Sequence, residues 1–197
     1  MLLDKIKNYR IILGSQSPRR QHLLKELGIS FTVEVLNGID ESYPKGLVYE
    51  EIPVYLAIHK AQYYKDLLDR QTILITADTI VWLENQVINK PNNRSEAVSI
   101  LKKLSGKKHE VLTGICLKTV GKEETFCIKT DVYFCTLSDE EINYYVDNFK
   151  PFDKAGAYGI QEWIGYVGIE KIEGSYFNVM GLPVRELYQK LSEFITN

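Results

Sequence analysis

Two long apolar segments in the middle of the chain limit the fold more than any other feature. Val111 to Thr119 and Glu124 to Cys135 flank a Val-Gly-Lys turn, which is the pattern of a long antiparallel hairpin. Ile11 to Gly14, Ile29 to Leu36 and Thr72 to Leu83 are also strand-like, and helix-like segments separate them. Interleaved strands and helices that include an antiparallel pair predict an α/β fold built on a mixed sheet.

Capping residues predict where the helices begin. Ser17 as N-cap and Pro18 at the first helical position start a helix that runs to Gly28. Further helices are expected near Pro53, over Ser95 to Leu104, after the capping box Ser138 to Glu141, and from Pro183. Their predicted core faces are Leu56, Ala57, Ala61, Tyr64, Leu67 and Leu68 after Pro53, and Val184, Leu187, Leu191 and Ile195 after Pro183. We find no internal repeat or low-complexity linker, and we expect a single domain over 1–197.

Charge and composition disfavour several classes of protein. The 24 basic and 26 acidic side chains give a net charge of −2, which provides no basic field for a nucleic-acid polymer. Charges interrupt the N-terminal apolar residues, and no apolar run approaches the length of a membrane span, so we expect a cytoplasmic protein. Cys116, Cys127 and Cys135 lack CxxC spacing, and the histidines form no metal-ligand pair. We therefore expect reduced thiols and no zinc site.

The turn from Gly14 to Arg20 is the first candidate binding site. A strand ends there and a helix begins at once, so backbone N–H groups point out of the turn toward an anion. Ser15, Ser17, Arg19 and Arg20 add hydroxyls and guanidinium groups, and guanidinium binds phosphate oxygens in pairs. The alternative is a capped helix with solvated arginines. The chain contains neither a GxGxxG nor a GxxxxGK[ST] motif.

Asp78 is the second candidate, because it lies within the apolar strand segment Ile73 to Val81. A buried carboxylate is costly unless a metal ion, a cation or hydrogen bonds compensate it. This placement favours a functional role over the alternative, an aspartate that caps a neighbouring loop.

Lysines and a loop rich in small residues complete the candidate set. Lys60 lies between small residues on the predicted helix, and Lys90 follows a turn after the Asp78 strand. Phe152 to Gln161 combines Asp153, Lys154 and Gln161 with glycine and alanine, as in loops whose backbone approaches a ligand. Each of these residues, like Glu41 in its loop, could instead be solvated.

These segments together resemble the Maf family of nucleoside triphosphate pyrophosphatases over nearly the whole chain. The matching stretches, in order, are Ser15-Gln-Ser-Pro-Arg-Arg20, Ile39-Asp-Glu41, Ala57-Ile-His-Lys-Ala61, Ala77-Asp-Thr79, Lys90-Pro91, His109-Glu-Val-Leu-Thr-Gly114, Asp153-Lys-Ala-Gly-Ala-Tyr-Gly-Ile-Gln161 and Gly174-Ser-Tyr-Phe-Asn-Val-Met-Gly-Leu-Pro183. The family usually has glycine where this chain has Asn89 and Glu162, so the sequence beside Lys90 and Gln161 departs from the family pattern and leaves the backbone geometry there open.

The resemblance implies an enzyme, a cofactor and an architecture. The reaction is hydrolysis of a nucleoside triphosphate to the monophosphate and pyrophosphate with a divalent cation, Mg²⁺ or Mn²⁺, as house-cleaning of the nucleotide pool. The implied fold is an elongated mixed sheet with flanking helices, of the Maf and ITPase-like kind, with two lobes around a substrate cleft. Family members are often dimeric, which leaves a homodimer open.

The resemblance also assigns roles to residues. The form of the stretch from Asp153 to Gln161 is similar to the branch that prefers dTTP and UTP, and Arg19, Thr79 and Gln161 match positions that bear on substrate choice. Asp78 matches the proposed catalytic base.

The predicted mechanism divides the candidates by charge. Arg19, Arg20, Lys60, Lys90 and Lys154 would bind phosphate or stabilise the leaving group, while Asp78 with Glu41 would hold the metal ion. Whether Asp78 is base, ligand or both is open. Two other functions also remain open, a non-catalytic nucleotide-binding regulator of cell division and septum formation, and a pyrophosphatase for modified or purine triphosphates.

Overall fold

The computed structural model describes residues 1–196 of the chain. Its strands are β1 Arg10–Leu13, β2 Thr32–Val33, β3 Thr72–Leu83, β4 Gln86–Ile88, β5 Lys108–Lys118, β6 Glu123–Phe134 and β7 Ile169–Glu173. Its helices are α1 Leu2–Lys5, α2 Pro18–Glu26, α3 Glu51–Gln62, α4 Arg94–Leu104, α5 Asp139–Phe149, α6 Trp163–Val167, α7 Tyr176–Val179 and α8 Val184–Phe194. Short 3-10 turns cover Ile6–Asn8, Lys65–Leu67 and Ala155–Ala157.

The described strands form one mixed sheet, which confirms the predicted fold class. The strand order is β2-β1-β3-β5-β6-β7, with β4 paired to β3. β1 pairs in parallel with β2 and β3, whereas β4 on β3 and β7 on β6 are antiparallel. β3 has the predicted bounds because its long apolar run suits a strand buried on both faces.

The chain divides into two compact units. The first comprises Met1–Asp78, Thr113–Ile128 and Gly181–Asn197, and the second comprises Thr79–Leu112 and Lys129–Met180. β3, β5 and β6 contribute residues to both units. The expectation of a single domain over 1–197 stays a prediction.

Each unit has its own hydrophobic core. In the first, small residues of α3 pack with β1, β3 and β5, in a cluster of Ile12, Ala57, Ala61, Tyr64, Leu74 and Cys116. In the second, α4 and α5 pack around a larger cluster that includes Leu101, Phe134, Tyr145, Tyr158 and Ile160. α5 begins with the predicted capping box, since Ser138 and Glu141 exchange side-chain to backbone hydrogen bonds.

Several predicted boundaries are wrong for identifiable reasons. The strand predicted over Ile29 to Leu36 is only Thr32–Val33, whose residues pair with Ile12 and Leu13 of β1. α3 starts at Glu51, since proline is tolerated in a first helical turn. α3 ends at Gln62, so Leu67 lies in a 3-10 turn and is exposed. In α8, Phe194 rather than Ile195 is the last core residue.

Two further sequence-based expectations concern membranes and thiols. Within residues 1–196, no helix has both the length and the apolar character that a membrane span requires. All three cysteines are free thiols, as predicted; Cys116 is buried, and Cys127 and Cys135 are partly buried.

Candidate active site

The turn between β1 and α2 has the N-cap and the helix start that the sequence predicted. Ser17 caps α2 by accepting a hydrogen bond from the Arg20 N–H at 3.5 Å, and Ser15 Oγ accepts one from the Ser17 N–H at 3.2 Å. A Cβ on Gly14 would lie 2.9 Å from the Thr76 side chain and 3.0 Å from the Tyr64 ring. Only glycine therefore fits where β1 enters the turn without displacing these neighbours.

Arg20 is a fixed cation in the first unit. Its Nε donates to the Gly181 carbonyl at 2.8 Å, and its Nη1 donates to Ser15 Oγ at 3.4 Å. Burial lowers the pKa of the guanidinium, while the negative charges of Asp78 and Glu41 oppose that shift. Arginine stays protonated under such conditions, so its charge remains close to both carboxylates. Arg19, the other predicted arginine, precedes it in the first turn of α2 and is half-buried.

A buried hydrogen bond fixes α3 against β3. Thr76 Oγ1 donates to the Ala57 carbonyl at 2.7 Å, and Ala57 and Ala61 are fully buried. Small side chains allow the helix backbone to approach the sheet closely. Lys60 lies one turn after Ala57 on α3, and Asp78 lies two residues after Thr76 on β3, so this contact brings their side chains together.

The first turn of α3 packs against β5 with no room for a side chain. A Cβ on Gly114 would lie 2.3 Å from the carbonyl oxygen of Pro53. Gly114 ends the stretch His109 to Gly114, so a packing constraint on the helix that carries Lys60 explains the need for glycine there.

Lys60 joins the two predicted acids. Its Nζ lies 2.6 Å from Asp78 Oδ1 and 2.8 Å from Glu41 Oε1. The side chains of Lys60 and Asp78 are 12% and 13% exposed, whereas that of Glu41 is 51% exposed. The ammonium group therefore compensates the carboxylate that the sequence singled out as costly to bury.

Among residues 1–196, no group of three His, Cys, Asp or Glu side chains could hold a metal ion unaided. Asp78 and Glu41 nevertheless provide two carboxylates that already share one cation. Mg²⁺ characteristically takes one or two carboxylates and completes its shell with water and phosphate oxygens. The pair thus fits a metal ion that arrives with a phosphate ligand.

The second unit carries Lys154 within its own ion-pair network. Lys154 is buried, and its Nζ lies 2.7 Å from Asp153 Oδ1 and 3.1 Å from Glu162 Oε1. The Tyr145 hydroxyl donates to Glu162 Oε2 and accepts from the Gly159 N–H. Burial raises the pKa of Tyr145, and the hydrogen bond to Glu162 raises it further, so the phenol stays protonated.

Gln161 carries a buried polar atom that the described residues do not satisfy. Its Oε1 is inaccessible to solvent and has no hydrogen-bond partner. Unpaired buried polar atoms are uncommon in folded proteins and call for an explanation such as a ligand. Thr79 is half-buried in β3, and Lys90 is exposed after β4, next to the buried Pro91.

His109 and Tyr158 form a buried pair that the sequence did not reveal. His109 Nε2 lies 2.7 Å from the Tyr158 hydroxyl, and both rings pack edge-on against Phe134. Burial lowers the pKa of His109 to about 3, so the imidazole is neutral. The pair ties the loop containing Lys154 and Gln161 to β5, and aromatic residues in apolar runs gave no signal of this.

Comparison with known proteins shows which family the chain belongs to. A family model described as Maf-like protein matches residues 10–194. The chain belongs to the Maf family. A dTTP/UTP pyrophosphatase from Phocaeicola vulgatus is 54% identical over 98% of this chain and 100% of its own length. A dTTP/UTP pyrophosphatase from Parabacteroides distasonis is 53% identical with the same coverage.

One further relative and one solved structure also resemble this chain. A dTTP/UTP pyrophosphatase from Christiangramia forsetii is 47% identical over the full length of both chains. Among solved structures, a HAM1 protein from Coxiella burnetii covers 94% of this chain and 99% of its own, with 12% identity and a TM-score of 0.49.

Proposed function

We propose that this Maf protein hydrolyses dTTP and UTP, or modified pyrimidine nucleotides, to the monophosphate and pyrophosphate. The observation that carries the proposal is the cluster of Lys60, Asp78 and Glu41 beside the Arg20 turn, which is the charge pattern that a triphosphate with its metal ion requires. Relatives of about 50% identity bear the name dTTP/UTP pyrophosphatase, and this does not favour the alternative of a non-catalytic regulator.

The proposed reaction is attack of water on the α phosphorus. The new bond joins the water oxygen to phosphorus, the bond from the α phosphorus to the bridging oxygen breaks, and pyrophosphate leaves with the electron pair. In this proposal Asp78 either takes the proton of the water or holds the metal ion with Glu41. A divalent cation held by these carboxylates would neutralise negative charge on the phosphate groups.

The remaining residues take roles in binding and selectivity. The turn with Ser15, Ser17, Arg19 and Arg20 binds phosphate oxygens through hydroxyl, backbone and guanidinium donors. Lys60, Lys90 and Lys154 neutralise charge on the phosphates and on the leaving pyrophosphate.

Gln161 is proposed to read the base. Its unsatisfied Oε1 supports this role, because the amide can donate to and accept from the O4 and N3 edge of a pyrimidine. Thr79 is proposed to contribute to the same choice of substrate.

The test of the reaction is pyrophosphate release from dTTP, UTP, CTP, GTP, ITP, 5-methyl-UTP and 7-methyl-GTP, with Mg²⁺ or Mn²⁺ and with EDTA. We expect metal-dependent release led by dTTP and UTP. Asp78→Asn should lower kcat by about 10²–10⁴-fold with a much smaller change in KM. Tight nucleotide binding without release would instead support a regulator, and release led by purines would contradict the pyrimidine assignment.

Assembly and location are proposed separately. We propose a cytoplasmic protein that binds a nucleoside triphosphate and forms a homodimer. Light scattering coupled to gel filtration tests the dimer, and a monomer at micromolar concentration would contradict it. Cell fractionation tests the location, and recovery of the protein with membranes would contradict it.

A further inference from the structure

The Tyr145 hydroxyl in the second unit joins two groups beside Lys154. It donates to Glu162 Oε2 and accepts the Gly159 N–H at 3.0 Å. The other oxygen of the same carboxylate, Glu162 Oε1, lies 3.1 Å from Lys154 Nζ. Both oxygens of Glu162 are therefore engaged, and the carboxylate cannot rotate without breaking one of these contacts.

The surroundings make this junction rigid. The Tyr145 side chain is fully buried and stacks on Phe149 of the same helix α5. The Lys154 side chain is 10% exposed, and a desolvated ammonium depends strongly on its carboxylate partners. Its second partner, Asp153, is 59% exposed, so Glu162 is the partner better able to fix its direction.

Glu162 is a feature of this chain and not of the family pattern. The resemblance to the Maf family implies glycine there, which has no side chain to orient a lysine. A Cβ on Gly159 would lie 2.8 Å from Glu162 Cδ and 2.9 Å from Gln161 Nε2, so the backbone at Gly159 lies directly against both side chains. The Tyr145 hydroxyl thus holds the loop backbone and the Glu162 carboxylate together.

We propose that Tyr145 and Glu162 are positioning residues that fix the Lys154 ammonium for its action on the leaving pyrophosphate. Neither residue touches the substrate in this proposal, and their effect passes through Lys154. The inference rests on the proposed function, because it requires Lys154 to take part in triphosphate hydrolysis. The positioning role explains which contacts hold the Lys154 ammonium group in one place.

The test is a double-mutant cycle on pyrophosphate release from dTTP. Tyr145→Phe keeps the ring and removes only the hydroxyl, and we expect kcat to fall about 10-fold with KM changed less than about 2-fold. Glu162→Gln keeps the size of the side chain, and we expect a fall of about 10- to 100-fold. In a Lys154→Met background, adding Tyr145→Phe should change kcat by less than about 2-fold.

Tyr133 provides a matched control in the same unit. Its hydroxyl donates to Glu173 Oε2 at 2.8 Å, and Glu173 Oε1 binds Lys171 Nζ at 2.5 Å. The control triad therefore has the same chemistry as Tyr145, Glu162 and Lys154 but is more exposed. Tyr133→Phe should leave kcat and KM unchanged.

The possible results separate this inference from the proposed function. If the wild-type protein releases no pyrophosphate from any triphosphate, the proposed function fails. If the wild type is active but Tyr145→Phe has normal kcat, or if its effect multiplies with that of Lys154→Met, only the positioning role is overturned. Melting temperatures are measured for each variant, and Glu162→Gln replaces Tyr145→Phe in the cycle if the latter does not fold.

Discussion

Replacing Lys60 by methionine removes the cation between Asp78 and Glu41 and keeps most of the aliphatic side chain. Loss of one partner from a buried ion pair costs about 3–5 kcal/mol, because the other charge stays desolvated. Glu41 is half exposed and can be hydrated, so the cost comes mainly from Asp78. We expect a loss of about 3 kcal/mol, or about 10 °C in melting temperature for a chain of this size.

Lys190 gives a matched control for this change. Its Nζ also lies between two carboxylates, at 3.2 Å from Glu124 and 3.0 Å from Glu193, but its side chain is 40% exposed. Ion pairs at the surface contribute little to stability, so Lys190→Met should lower the melting temperature by no more than about 2 °C. Thermal unfolding followed by circular dichroism compares both variants with the wild type.

Added metal distinguishes a binding site from a structural ion pair. With Lys60 removed, Asp78 and Glu41 can bind Mn²⁺ without competition from the ammonium. A ligand at a hundredfold excess over its Kd stabilises the folded state by about 2.7 kcal/mol. Millimolar Mn²⁺ should therefore raise the melting temperature of Lys60→Met by several degrees more than that of the wild type. Equal losses in the Lys60 and Lys190 variants, or equal Mn²⁺ shifts in the Lys60 variant and the wild type, would refute this reasoning.

Three further predictions follow from single contacts. Gly114→Ala should destabilise the protein by at least about 1–3 kcal/mol in urea unfolding, because its Cβ would overlap the Pro53 carbonyl, whereas Gly121→Ala, which has open space, should not. Burial lowers the pKa of His109 to about 3 in the folded protein, against about 6.5 in the unfolded chain. Between about pH 6.5 and about pH 3 the unfolded chain therefore binds a proton at His109 that the folded protein does not, and the free energy of unfolding falls as the pH is lowered. Between pH 7 and pH 5 the unfolding free energy, measured by urea unfolding, should therefore fall by about 2 kcal/mol less in His109→Phe than in the wild type. Gln161→Ala should change the ratio of kcat/KM between UTP and GTP, and an unaltered ratio would remove Gln161 from base recognition.

Strong local patterns made part of the fold predictable from the sequence. β3 was predicted residue for residue, and the capped starts of α2 and α5 were correct, because these elements depend on their own side chains. β2 was predicted too long, because the length of an edge strand depends on how it pairs with its neighbour, and β2 pairs with Ile12 and Leu13 of β1. Strand pairing depends on the tertiary arrangement, so the local sequence does not show where an edge strand ends.

In the candidate site, too, some residues could be recognised from the local sequence and others only from the packing. Asp78 was recognisable because a carboxylate in an apolar strand violates the local pattern. The sequence did not show that Lys60 would lie between Asp78 and Glu41, because that depends on how α3 packs on β3 through Thr76. Tyr145 was not recognisable at all, since a buried aromatic on a helix is ordinarily a core residue and only its hydroxyl contacts reveal more.

Both units show the same arrangement of charge. Lys60 in the first unit and Lys154 in the second, two of the cations proposed to meet phosphate, each bind two carboxylates in the chain without nucleotide. A triphosphate can engage Lys60 fully only if Asp78 and Glu41 gain another cation, because otherwise the phosphate would face two negative groups. A divalent metal ion would satisfy these carboxylates and the phosphate oxygens together, so metal and nucleotide should bind cooperatively at the first unit. Lys154 differs, because Tyr145 also binds its partner Glu162. If Lys154 acts on phosphate as proposed, we expect Glu162 to keep its contact with the ammonium group when the nucleotide binds.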